Sequence, residues 1–151
     1  MKKVTNLCVL LSLTGYVLLS VVGARTPSVS VSWNILQTDS SMSSFWEKFK
    51  AAVIKSDKAA VAGLSQFPIS MPYGMRTVRT RAQLIRRYRD VFYHETSAAK
   101  CFATAQPQTD PARPGEFTVG CKNAAGDEVI IYSFKRTGKG WAFIGLDNIN
   151  E

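Results

Sequence analysis

Apolar residues between positions 42 and 64 recur at steps of three and four, which is typical of helices that bury one face. Ser44 and Glu47 fit a capping box, in which the serine accepts from a backbone N–H and the glutamate reaches back. The stripe that follows consists of Met42, Phe45, Trp46, Phe49, Ala52 and Val53. A new N-cap at Asp57 predicts a second, short helix over residues 58–64.

The pattern then predicts a short strand and a third helix. Phe67 precedes a proline and cannot continue a helix, so residues 67–71 are predicted as a strand. Thr80 and Gln83 form a second capping box. The helix that follows carries its apolar stripe on Leu84, Ile85, Tyr88, Val91 and Phe92.

From residue 99 onward the spacing favours strands separated by turns. Four are predicted, over residues 99–105, 116–123, 128–136 and 141–149. Turn-connected strands run antiparallel. Helices followed by such strands predict an α+β fold, in which three N-terminal helices pack on a curved antiparallel sheet within one domain, residues 42–151.

The start of the chain has the pattern of an export signal. Residues 1–24 combine two lysines, an apolar run and small residues before a polar turn, which predicts a signal peptide cleaved near Ala24. The protein is then periplasmic or secreted; the alternative is an uncleaved N-terminal membrane anchor. Residues 25–41 are predicted to be a flexible linker or an edge strand.

Two cysteines remain after Cys8 leaves with the signal. Cys101 and Cys121 lie at equal distances from Pro111, so a hairpin would place them opposite each other. A disulfide is predicted, because paired thiols are usual in exported proteins. The alternative is two free, buried thiols. No metal site is expected from two cysteines and a single histidine.

Charge adds a candidate binding surface. The chain has a net charge of +8, which favours anionic neighbours. Six arginines fall within residues 76–89, and guanidinium groups suit phosphate and carboxylate. They predict an anion-binding patch on the third helix, with Arg79, Arg86, Arg87 and Arg89 as its members. The alternative is a solvated helix face. Nucleic acid is not expected for an exported chain without alternating basic and aromatic residues.

The order of elements resembles the nuclear-transport-factor-2-like superfamily, the cystatin-like α+β fold shared with ketosteroid isomerase and SnoaL-type proteins. The resemblance rests on the paired helices of residues 45–64, the Phe67-Pro68-Ile69 segment, the helix of residues 82–92 and the closing strand pair of residues 130–149. It implies a cone-shaped barrel with a pocket between the concave sheet and the helices.

Four aromatic residues are candidates to line that pocket: Tyr73, Tyr88, Tyr132 and Trp141. Such residues also simply fill cores. An isomerase of this type is expected to need an acidic base, and no acid here aligns with one. His94, the only histidine, is a candidate general base or pH sensor. No cofactor is expected, because Gly138–Gly140 lacks the glycine spacing of a phosphate loop.

Three functional hypotheses follow. The first is an exported, non-catalytic binding module whose cone-shaped cavity holds a small apolar or anionic ligand, or whose sheet binds a protein partner, including a second copy in a homodimer. The second is a small isomerase or lyase with an unidentified acid or base. The third is a cell-envelope accessory domain that binds anionic surfaces through the arginine-rich helix.

Overall fold

The computed structural model describes residues 33–72 and 74–149, with side chains from Ser41 onward. The predicted signal peptide and the cleavage site near Ala24 lie outside the described residues. The helices are α1 (Trp33–Ile54), α2 (Lys58–Gly63), α3 (Arg81–Arg86), α4 (Tyr88–Tyr93) and α5 (Ala98–Phe102). The strands are β1 (Ser65–Ser70), β2 (Gln108–Thr109), β3 (Glu116–Lys122), β4 (Val129–Thr137) and β5 (Gly140–Asn148).

The strands form one five-stranded sheet in the order β1-β5-β4-β3-β2. Strands β2 to β5 pair antiparallel, whereas β1 joins β5 in parallel, with Ser65 opposite Phe143. The sheet is therefore mixed, and it is open instead of closed into a barrel. The predicted α+β class, with helices packed on a curved sheet, is confirmed.

Two helix boundaries differ from the prediction. Helix α1 begins at Trp33, so residues 33–41 of the predicted linker or edge strand are helical. No proline or glycine interrupts that stretch, and Ser44 is an exposed residue within the helix. The third predicted helix is divided in two, because Arg87 takes the non-helical angles φ −96° and ψ 19°.

The strand predicted over residues 99–105 is wrong. Residues 98–102 form helix α5, in which Ala98 and Phe102 are fully buried. Their spacing of four places both on one helix face, and this burial decides the conformation of the segment. The helix lies along β3, where Thr96 Oγ1 donates to the Lys122 carbonyl at 2.8 Å.

The predicted disulfide between Cys101 and Cys121 is present, with the two Cα atoms 5.8 Å apart. The predicted hairpin across Pro111 is wrong, because the bond joins α5 to β3. A disulfide is typical of an oxidising compartment. The bond attaches a helix of five residues that would be too short to stand alone.

Aromatic rings fill the space between α1 and the concave face of the sheet. Phe49 has no exposed surface, and its ring centroid lies 5.0 Å from that of Phe134 and 5.4 Å from that of Phe143. Alternate residues of β3 and β4 point into this cluster, which follows the two-residue period of a strand. The further rings in it are Phe45, Trp46, Tyr88, Phe92, Phe102, Phe117 and Tyr132.

Among the described helices, none has the length and apolar content required to cross a bilayer.

Replacing Phe49 by alanine should remove the centre of this cluster. We expect Phe49→Ala to lower the free energy of unfolding by about 3–5 kcal/mol in urea titrations. The matched control is Ile54→Ala in the same helix, where the side chain is 45% exposed. That change should stay within about 0.5 kcal/mol of wild type. Equal effects of the two variants would contradict the packing described.

The disulfide gives a second stability prediction. Non-reducing peptide mass spectrometry of the oxidised protein should recover Cys101 and Cys121 in one linked peptide pair. We expect the double variant Cys101→Ala/Cys121→Ala to lose about 3 kcal/mol of unfolding free energy, since the bond closes a loop of 20 residues. Two free thiols in the oxidised protein would contradict the structure.

Candidate functional site

Two predicted ligand residues, Tyr88 and Tyr132, lie inside the aromatic cluster and are each 1% exposed. The Tyr88 hydroxyl donates to the Val53 carbonyl at 3.3 Å. The Tyr132 ring stacks on Phe92 with centroids 5.9 Å apart. A ligand would reach either tyrosine only by displacing neighbouring side chains. Their role in binding stays a prediction, and Tyr73 lies outside the described residues.

Both tyrosines are neutral hydrogen-bonding groups at physiological pH. Burial is the largest cause that raises the pKa of the Tyr88 and Tyr132 phenols above the ordinary value of 10.0. A phenol held in this way keeps its proton and cannot act as a base near neutral pH. Tyr88 and Tyr132 therefore supply hydroxyl groups to the buried cluster, but these groups do not act as catalytic bases.

His94 and several acids pair at the surface in the described part of the chain. Asp57 caps α2 by accepting from Ala60 N at 2.9 Å. His94 has a 63% exposed side chain, and its Nε2 lies 3.4 Å from Glu95 Oε1. The remaining ion pairs are Lys50–Glu47, Arg87–Asp90, Arg113–Asp110 and Lys135–Glu116. Within these residues, no group of three potential metal ligands occurs.

Five arginines of the arginine-rich segment are exposed, and we call them together the arginine surface: Arg76, Arg79, Arg81, Arg86 and Arg89. Because Leu84 and Tyr88 are buried, the opposite face of α3 and α4 is exposed to solvent. Helix α3 starts at a capped N-terminus, where Thr80 Oγ1 accepts from Gln83 N at 3.2 Å. The predicted anion-binding residues Arg79, Arg86 and Arg89 all belong to this surface.

Arg87, the fourth predicted member, has a different environment. It is half-buried, its Nε donates to Asp90 Oδ2 at 3.2 Å, and its Nη1 donates to the Arg76 carbonyl at 2.6 Å. These bonds attach the segment before α3 to α4. Arg87 therefore positions the arginine surface, and its role as an anion ligand stays a prediction.

Positive charge on the arginine surface is not neutralised by neighbouring acids. None of its five arginines forms an ion pair with a carboxylate of residues 41–72 or 74–149, the residues whose side chains the structure describes. Lys58 adds to it, with its Nζ 5.8 Å from the centre of the Tyr88 ring. The nearby Asp57 and Asp90 are engaged as a helix cap and as the partner of Arg87. Anion binding by these arginines stays a prediction.

Trp141, the last predicted ligand residue, borders an open groove of about 570 Å³. It is half-buried, and its Nε1 donates to Ser41 Oγ at 3.4 Å. We call this recess the Trp141 groove; its lining is Gly63, Leu64, Ser65, Gln66, Thr137, Gly138, Lys139, Trp141 and Ala142. The sequence suggested Trp141 as a ligand residue. It could not indicate the groove, because two segments that are distant along the chain form its lining.

A smaller recess of about 210 Å³ lies on the outer face of the sheet beside β2. The backbone N–H of Ala112 and the guanidinium of Arg113 lower the pKa of the Asp110 carboxyl at its rim. Its volume is below the range of about 300–1,000 Å³ usual for ligand pockets. No sequence pattern indicates this recess, because it depends on how the segment before β3 folds over the sheet.

Comparison with solved structures finds proteins of the kind that the sequence resembles. One is an NTF2-like protein with a cystatin-like fold from Novosphingobium aromaticivorans, with 15% identity, coverage of 77% of this chain and 83% of that chain, and a TM-score of 0.45. Another is a hexachlorocyclohexane dehydrochlorinase, LinA type 2, with 11% identity, coverage of 77% and 86%, and a TM-score of 0.45.

A third is an NTF2-like protein of unknown function from Shewanella oneidensis, with 8% identity, coverage of 73% and 97%, and a TM-score of 0.45. No protein-family model matches the chain, and no curated protein matches it. At these identities and TM-scores, the similarity transfers no activity to this chain.

Burial of Tyr132 predicts a loss of stability at alkaline pH. The unfolded chain releases this proton near pH 10.0, whereas the folded protein retains it. The tyrosine's contribution is therefore intact below that pH and is lost above it. Urea unfolding between about pH 9 and about pH 11 should show a shallower decline for Tyr132→Phe than for wild type. Identical slopes would contradict the burial of this phenol.

Proposed function

We propose that this chain is an exported, non-catalytic binding module that attaches to anionic membrane surfaces of the cell envelope through the arginine surface. One observation carries the proposal: five exposed arginines lie close together in the chain, and none pairs with a carboxylate of the described residues. Guanidinium groups bind phosphate through two parallel hydrogen bonds. Each basic residue near an anionic membrane contributes about 1 kcal/mol of attraction.

The arginine surface is held in place before any ligand arrives. Arg81 Nη2 donates to the Ala59 carbonyl at 2.7 Å, which joins α3 to α2. Arg87 joins the preceding segment to α4, and the buried Leu84 fixes the rotation of α3. Preorganised groups lose less entropy when they bind, which favours this surface as a docking site.

Filling of the central space also favours a surface function. A small ligand in the cone would have to displace rings such as those of Phe92 and Phe102, which are fully buried. Contact with an anionic surface needs no such rearrangement. Catalysis is less well supported, because no carboxylate of residues 41–72 or 74–149 is buried, His94 lies at the surface, and the buried tyrosines stay protonated.

Export is supported by two independent features. The first 24 residues have the pattern of a signal peptide, and the disulfide between Cys101 and Cys121 suits an oxidising compartment. Phosphate-bearing lipid head groups are abundant anions at such a location.

The test is sedimentation with vesicles of phosphatidylcholine with and without phosphatidylglycerol. We expect the protein to bind only the anionic vesicles, and to release them as salt rises from about 50 mM to about 500 mM. The double variant Arg86→Glu/Arg89→Glu should weaken binding at least about tenfold. The matched control Lys100→Glu/Lys122→Glu makes the same change in charge at exposed positions near the disulfide.

The control variant should retain binding to within about threefold of wild type, since its charges lie outside the arginine surface. Circular dichroism of each variant confirms that it is folded. Equal losses in the two double variants would show that net charge alone drives binding, and would overturn the proposal. Binding of wild type to neutral vesicles would overturn it as well.

A further inference from the structure

The Trp141 groove opens beside the arginine surface. Gly63 forms part of its lining, and a side-chain carbon placed at Gly63 would lie 3.6 Å from Nη2 of Arg81. The hydrogen bond from Arg81 to the Ala59 carbonyl keeps the guanidinium at this position. The Arg81 guanidinium therefore lies next to Gly63 of the groove lining, and the exposed Lys139 is itself part of that lining.

Hydrogen bonds fix both walls of the groove. On one side, Phe143 N donates to the Leu64 carbonyl at 2.9 Å, which ties the start of β1 to β5. On the other, Thr137 Oγ1 donates to the Gly140 carbonyl at 2.7 Å and accepts from Lys139 N at 3.1 Å. The Thr137 side chain thus closes the turn between β4 and β5, and the groove is a preformed feature.

The lining combines apolar and polar groups in a particular way. Trp141, Leu64 and Ala142 supply apolar surface, Gln66 supplies an exposed amide, and Lys139 supplies an ammonium group. An aromatic side chain beside a few polar groups suits a ligand with an apolar face and polar edges. The groove volume of about 570 Å³ lies in the range of ligand pockets.

We propose that the Trp141 groove binds an acidic sugar unit of an envelope polysaccharide. The C–H face of the sugar ring packs on Trp141 and Leu64, and Gln66 hydrogen-bonds its hydroxyl groups. Lys139 and Arg81 bind its carboxylate or phosphate, since charge-assisted hydrogen bonds are the strong ones. The inference goes beyond the proposed function, because it adds a ligand-specific groove to a surface that attracts anions in general.

The experiment is calorimetric titration of the full chain with tetragalacturonic acid, and with maltotetraose as the neutral comparison. Wild type should bind the acidic oligosaccharide at least about tenfold more tightly. Lys139→Glu should weaken that binding by a similar factor, while Lys122→Glu, at an exposed site elsewhere, should leave it unchanged. Trp141→Ala should also abolish binding, and Trp141→Phe should retain part of it.

A second variant covers the case in which Trp141→Ala fails to fold. Gly63 has no left-handed backbone angle, and an added Cβ meets only the Arg81 guanidinium at ordinary contact distance. Gly63→Glu should therefore fold, place a carboxylate beside Arg81 and prevent binding. Its neutral partner Gly63→Gln should bind more tightly than Gly63→Glu.

Three results would overturn the inference: no binding of tetragalacturonic acid, equal binding of maltotetraose, or equal losses in Lys139→Glu and Lys122→Glu. Equal losses in the two lysine variants would mean that binding of the oligosaccharide depends only on the net charge of the protein. Failure of this inference is distinguishable from failure of the proposed function. If wild type binds anionic vesicles but not the acidic oligosaccharide, only the sugar-binding proposal for the Trp141 groove is overturned. If it binds the oligosaccharide but not the vesicles, only the membrane proposal is overturned.

Discussion

Packing of aromatic rings between α1 and the sheet is the interaction on which the rest of the structure depends. Phe49 contacts rings from α4, α5, β4 and β5, so one side chain links elements that span the described chain. Close packing of this kind is sensitive to the loss of even a few atoms. The candidate binding surfaces therefore lie at the margins of the fold, because the side chains that hold the fold together fill its centre.

The margins are built from the same elements. Burial of Leu84 and Tyr88 directs the arginines of α3 and α4 outward, and the pairing of β1 with β5 brings Gln66 near the hairpin that carries Lys139. Core and surface are therefore coupled through the rotation of short helices and the register of one parallel strand pair. A change in either would move the charged groups relative to each other.

Local periodicity accounts for most of what the sequence predicted, including the helical stripes and the three long strands, whereas the pairing of Cys101 with Cys121 was predicted from the number of cysteines and the export signal. It failed for residues 98–102, because Ala98 and Phe102 fit a helix face while neighbouring residues also fit a strand. The Trp141 groove could not be predicted, since it needs the parallel pairing of β1 with β5. The sequence likewise could not distinguish Arg87 from the neighbouring arginines; the hydrogen bond from Arg87 to the Arg76 carbonyl does so in the structure.

Helix α5 has a consequence for the open edge of the sheet. Strand β2 covers only Thr118 and Phe117 of β3, and the rest of that edge faces α5, where Thr96 bonds to the Lys122 carbonyl and Cys101 Sγ lies 3.6 Å from the Gly120 carbonyl oxygen. An uncovered strand edge is a template for intermolecular β pairing. The covering helix is fastened by the disulfide between Cys101 and Cys121, so protection of this edge against self-association depends on the oxidised state of the two cysteines.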